Sequence, residues 1–111
     1  MIEKILLDYL SGVLPVPVYL ERPESPPTCY ILLERVGGGR SNYIRSAAMA
    51  VQSIAESLYQ AALLNEAVKA AMDAAATCPE ISGVKLDRDY NFTDTTTREY
   101  RYQAIYDLTY Y

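Results

Sequence analysis

Apolar residues Ile2, Ile5, Leu6, Tyr9 and Leu10 recur at helical spacing, with Glu3, Lys4 and Asp8 between them. The pattern predicts a short amphipathic helix ending near Gly12 and Pro15. Val16, Val18 and Leu20 then alternate as a short strand, and Pro17 within it points to a sheet edge. Residues 21–28 carry three prolines and read as an extended loop. Cys29-Tyr30-Ile31-Leu32-Leu33 is apolar on both faces, as a central strand would be, and continues to Val36. Gly37–Asn42 reads as a flexible loop.

Residues 43–55 are ambiguous. Alanines 47, 48, 50 and 55 favour helix by propensity. A helix from Ser46 to Ala76 would be about 46 Å long, whereas a domain of this size has a radius of gyration of about 13 Å. A break is therefore required. Ser53-x-x-Glu56 fits a capping box that starts a helix near Ile54, leaving Tyr43–Gln52 as a strand. From Ile54 to Ala76 the stripe Ala61, Leu64, Val68, Ala71, Met72 and Ala75 marks the buried side. Lys69 and Asp73 would pair on the outer side, where Tyr59 and Leu63 also fall.

The last third alternates most clearly. Val84, Leu86, Tyr90 and Phe92 interleave with Lys85, Asp87, Asp89 and Asn91, with Arg88 the one charge on the apolar side. After the polar turn Thr93–Thr97, Tyr100, Tyr102, Ala104, Tyr106, Leu108 and Tyr110 interleave with Arg101, Gln103, Asp107 and Thr109. Two such strands form a β-hairpin. The order α-β-β-β-α-β-β predicts an α+β fold, a largely antiparallel sheet with helices packed on one face.

Composition narrows the chemistry. A chain of 111 residues is one domain, spanning 1–111, because two halves would each be too small for a core. There is no histidine, which removes Ser-His and Cys-His nucleophile pairs and histidine-based zinc sites. Cys29 and Cys78 lack C-x-x-C spacing and read as free, buried thiols. No apolar run approaches the length of a membrane helix, and the N-terminus lacks the features of a signal peptide, so a cytosolic protein is expected. The net charge of −4 argues against a partner gripped through phosphates, and so against nucleic acid.

Few motifs carry chemistry. Gly37-Gly38-Gly39-Arg40-Ser41 lacks the phosphate-loop pattern G-x-x-x-x-G-K-[ST]. Arg35, Arg40 and Arg45 form a basic cluster in an acidic chain and suit an acidic partner. Asp87, Asp89 and Asp94 could approach a hard cation, but no ligand-loop spacing supports one, and a solvated strand face is the plainer reading. No metal or cofactor is expected. The 11 tyrosines accompany one Phe and no Trp. They fit either a tyrosine-rich core or a surface covered by neighbours, since tyrosine is enriched at interfaces.

Several stretches together resemble a known family. They are Met1–Leu10; Val16-Pro17-Val18-Tyr19 with Glu21-Arg22-Pro23-Glu24; Leu33-Glu34 before Gly37-Gly38; Ala50-Val51-Gln52-Ser53; Leu58–Ala62 with Leu64-Asn65; and Asp89–Asp94 with Tyr100–Ala104. These resemble the small minor capsid or tail terminator proteins of long-tailed bacteriophages, commonly found in prophages. The resemblance covers nearly the whole chain, through patterns rather than a catalytic signature. It implies a structural α+β protein that is not an enzyme. Such a protein assembles as a ring, typically hexameric, at the head-proximal end of the tail tube. It stops tube growth, meets the head connector, and resides in the virion after assembly in the host cytoplasm. Interface candidates from pattern are Arg35, Arg40, Arg45, Tyr59, Leu63, Asp87 and Asp89. A small α+β domain binding a ligand or peptide in a tyrosine-lined pocket is the alternative, and a hydrolase or nuclease using Asp87, Asp89 and Asp94 is a third.

Overall fold

The computed structural model describes residues 1–41, 44–97 and 99–111. The elements are α1 (Ile2–Val13), β1 (Val18–Tyr19), β2 (Tyr30–Ser41), β3 (Ile44–Ala55), α2 (Leu58–Asp73), a 3-10 turn (Ala75–Thr77), β4 (Ile81–Asn91) and β5 (Tyr100–Tyr110). The strands form one five-stranded sheet in the order β1-β2-β3-β5-β4. All neighbours are antiparallel except β1 with β2. The fold is α+β, with the element order that the periodicity predicts.

Register decides which face is buried. Val51 of β3 lies opposite Leu33 on one side and Ala104 on the other, and Met49 lies opposite Arg35 and Tyr106. Residues directly opposite one another share a face. That face carries Ile31, Leu33, Ala47, Met49, Val51, Ala104, Tyr106 and Leu108 into a core completed by Ile2, Leu6 and Leu10 of α1 and Val68 and Met72 of α2. α1 covers β1 and β2, and α2 covers β3 and β5. Ala61 near the start of α2 and Ala75 in the 3-10 turn that follows it are both fully buried and leave room for close approach. β1 sits at the sheet edge, as Pro17 suggests.

The β3–α2 junction differs from expectation. Ser53 does not cap a helix. It is a fully buried β3 residue opposite Ile31 and Tyr102, and the strand continues to Ala55. The N-cap is Ser57, whose hydroxyl accepts from the Gln60 amide at 3.2 Å. The cap-like spacing at Ser53 is overridden by ladder pairing on both sides. α2 also stops earlier, at Asp73, before the 3-10 turn.

Gly37–Asn42 is not a loop over its described part. Gly37, Gly38 and Gly39 pair with Ala48, Ala47 and Ser46, after a register shift between Arg35 and Gly37. A Cβ on Gly38 would lie 2.9 Å from the Ser46 carbonyl, so glycine here permits close strand approach rather than mobility. Asn42 and Tyr43, assigned above to the loop and to the following strand, lie outside the described residues.

β4 departs from simple alternation. Register shifts between Ile81 and Gly83 and between Leu86 and Arg88 mark β-bulges. The second divides the expected apolar stripe. Val84 and Leu86 face Leu108 and Tyr106, whereas Tyr90 faces Gln103 on the other side of the sheet. Arg88 follows Tyr90 there, its guanidinium 5.9 Å from the ring centre. β5 keeps Ala104, Tyr106, Leu108 and Tyr110 buried on the helix side, but Gln103 and Ile105 on the opposite face are buried too, so burial alternates only toward its C-terminal end.

Two substitutions separate the old and new cap positions. Ser57→Ala removes a side-chain acceptor and should cost about 1 kcal/mol in denaturant unfolding. Ser53→Ala should be neutral or slightly stabilising, because the buried Ser53 hydroxyl has no partner. A larger loss from Ser53→Ala than from Ser57→Ala would contradict the assignment. Val68→Asp, at a fully buried position, should cost about 3 kcal/mol or more, read as a fall in melting temperature.

Candidate functional site

The distal half of the β2–β3 hairpin is the first unusual surface. Glu34–Arg40 and Ile44–Ser46 are all exposed. β1 pairs only as far as Leu32, so the outer edge of β2 from Leu33 onward has no strand partner among the described residues. Arg40 lies directly opposite Arg45. Like charges at such positions destabilise a ladder unless an anion joins them. No carboxylate lies within ion-pair distance of either residue among the described residues. Arg35 is set apart, with Nη1 3.9 Å from Glu3 Oε1 of α1. Val36 and Ile44 add exposed apolar area, at 52% and 49% accessibility.

The second surface is the outer side of α2. Tyr59, Leu63, Glu66, Ala70 and Asp73 recur at spacings of three and four, which places them on one stripe, and all are exposed. Glu56, also exposed, stands just before the cap. Tyr59 is 73% and Leu63 53% accessible. Beside them, Pro15, Val16, Cys29, Leu63, Leu64 and Ala67 line an apolar groove of about 340 Å³.

The paired aspartates are not a pair. Asp87 is the extra residue of the β4 bulge and is exposed. Asp89 faces Ala104 on the helix side. There its Oδ2 accepts from Asn65 Nδ2 at 2.9 Å and Lys69 Nζ at 3.0 Å. Lys69 also holds Glu66 at 2.9 Å, so it pairs across to β4 and within α2, not with Asp73. The Lys69 ammonium, with help from Asn65, holds the Asp89 carboxyl below its ordinary value. The same carboxylates push Lys69 up. Asn65, 2% accessible, is the polar member of the buried α2 face. Sequence periodicity missed it because the bulge that brings Asp89 over it leaves no local signal.

Asp94 serves its turn, accepting from the Thr96 amide at 2.9 Å. Arg101 lies 3.6 Å from both Asp94 and Glu99, and Arg22 reaches Glu99 at 2.8 Å. This cluster ties the proline loop across the start of β5. Among the described residues no three acidic or thiol groups gather as metal ligands.

Tyrosines divide between both expectations. Tyr30, Tyr106 and Tyr110 are core residues, while Tyr59 and Tyr111 are exposed. Burial pushes the Tyr106 hydroxyl up to about 12. On the helix-free face Gln52 donates to Gln103 at 2.9 Å, and Gln103 to the Tyr90 hydroxyl at 2.5 Å. A concavity of about 620 Å³ lies farther along the sheet, lined by Gly39, Ser46, Ala48, Gly83, Lys85 and Asp107, with no tyrosine in its wall. Cys29 and Cys78 are free thiols, half-buried rather than fully buried. No helix among the described residues is long and apolar enough to cross a membrane.

Asp89 should be visible in pH-dependent stability. Its folded pKa lies below the ordinary 3.8, so its contribution is complete above that pH and lost as pH falls through the lower folded value. Asp89→Asn should cost about 1–2 kcal/mol at pH 7. In urea unfolding the difference from wild type should shrink below pH 3.8. A constant difference across that range would contradict the pairing.

No protein-family model matches the chain, and a search of curated proteins finds no match.

Proposed function

We propose that the chain is a structural assembly protein, a ring-forming tail terminator that caps a phage tail tube and joins it to the head connector. The observation that carries the reading is a closed core beside two uncovered surfaces. Both apolar and charged side chains stand exposed on the distal hairpin and on the outer side of α2. An apolar residue on the outside of a helix that already has a buried side has no role in the chain's own core. Interaction between subunits gives it one. The sequence-wide resemblance to tail terminators supplies the phage context, and the α+β fold is consistent with it.

The reading requires no catalytic step and no cofactor. Its partners are further copies of the chain, the tail tube protein and the head-completion protein. Arg40, Arg45, Tyr59 and Leu63 remain the interface candidates. Asp89 is occupied internally by Lys69 and Asn65, and Asp87 stands between Lys85 and Arg88 in sequence, which makes β4 a poor acidic surface.

Removing the chain from an assembling phage should give tails of uncontrolled length that do not join heads, scored in electron micrographs. Tails of normal length, joined to heads, would contradict the proposal.

A further inference from the structure

The two exposed surfaces are complementary. Residues 34–46 contain three arginines and one glutamate, a net positive segment in a chain of net charge −4. The Arg40–Arg45 rung has no internal counter-ion among the described residues. The α2 stripe carries Glu66 and Asp73, with Glu56 at its head. Glu56 and Asp73 have no cation within ion-pair distance among the described residues. Lys69 serves both Glu66 and Asp89, which leaves that trio net negative. Both surfaces also carry exposed apolar side chains, Val36 and Ile44 on the hairpin and Tyr59 and Leu63 on the first turns of the helix.

The lengths also agree. Val36 to Ser41 spans about 17 Å at ~3.3 Å per residue. Tyr59 to Asp73 spans about 21 Å at ~1.5 Å per residue. The surfaces lie on different elements, so joining them between copies is head-to-tail. Such contacts leave one unpaired surface at each end of an open chain, a hairpin at one and a helix stripe at the other, and they form a ring when the rotation closes.

We infer that the distal β2–β3 hairpin of one copy docks along the acidic, tyrosine-bearing stripe of α2 on the next, with the Arg40–Arg45 rung meeting Glu66 and Asp73. This deepens the ring reading and rests on it. It names the second copy as occupant of both surfaces. Charge steers the encounter, and burial of Tyr59 and Leu63 holds the complex.

A charge exchange tests it. One variant carries Arg40→Glu with Arg45→Glu, so hairpin and stripe are both acidic. The other carries Glu66→Lys with Asp73→Lys, so both are basic. Light scattering after size-exclusion chromatography at low salt should show that wild type self-associates. Each variant alone should associate at least about tenfold more weakly, and an equimolar mixture should regain assembly by alternating the two chains. Wild-type assembly that both variants retain overturns the docking but leaves the ring reading standing. Loss in both variants without recovery on mixing overturns the docking as well. A wild-type chain that stays monomeric at millimolar concentration overturns it, while tail length still decides the capping role. If a charge variant fails to melt cooperatively, Leu63→Ser replaces it: loss of assembly supports the docking, and retention overturns it.

Discussion

A one-residue slip of β3 against β2 and β5 would turn Met49 and Val51 away from the helices and put Ala48 and Ala50 beneath them. The core of α1 and α2 would then lose its floor. That register is held from both sides, by antiparallel ladders running from Ile54 to Ile44 on β2 and from Ala55 to Arg45 on β5. The same pairing fixes the exposed surfaces. It sets Arg40 against Arg45 at the end of the hairpin, and it delivers the chain at Ala55 into the α2 cap at Ser57. The arginine rung and the helix stripe are therefore consequences of one strand's position.

The buried polar contacts serve the same geometry. Asn65 sits on the apolar side of α2, where an unpaired amide would be costly. Asp89 reaches it because the bulge at Asp87 shifts β4 by one residue. Lys69 then spans β4 and α2. The arrangement fixes the second sheet edge to the helix and uses the carboxylate that the sequence offers as a candidate ligand.

Much of the fold was legible because its signals are periodic. β5 alternates except at Ile105, α1 shows a clean amphipathic stripe, and Pro17 marks the edge strand. The failures have local physical causes. Ser53-x-x-Glu56 has the spacing of a capping box, but two ladders hold Ser53 in β3. Three glycines read as a loop, yet all three pair in the ladder, and at Gly38 the missing side chain lets the two strands approach. The β4 bulge is invisible to an alternation count, and it separates Asp87 from Asp89. Of the candidate surface residues, Tyr59 and Leu63 were legible as apolar residues on the wrong side of a helix. The opposition of Arg40 to Arg45 was not, because it depends on the register shift between Arg35 and Gly37.

The central claim is that this chain closes its core within one copy and uses what remains to cap a tail tube. Cryo-electron microscopy of the head–tail junction tests it most directly. The account predicts a closed ring of this fold at the head-proximal end of the tube, with each β2–β3 hairpin lying on the α2 helix of the neighbouring copy. Absence of the chain from the junction, or its presence only as isolated copies elsewhere in the particle, would contradict the account.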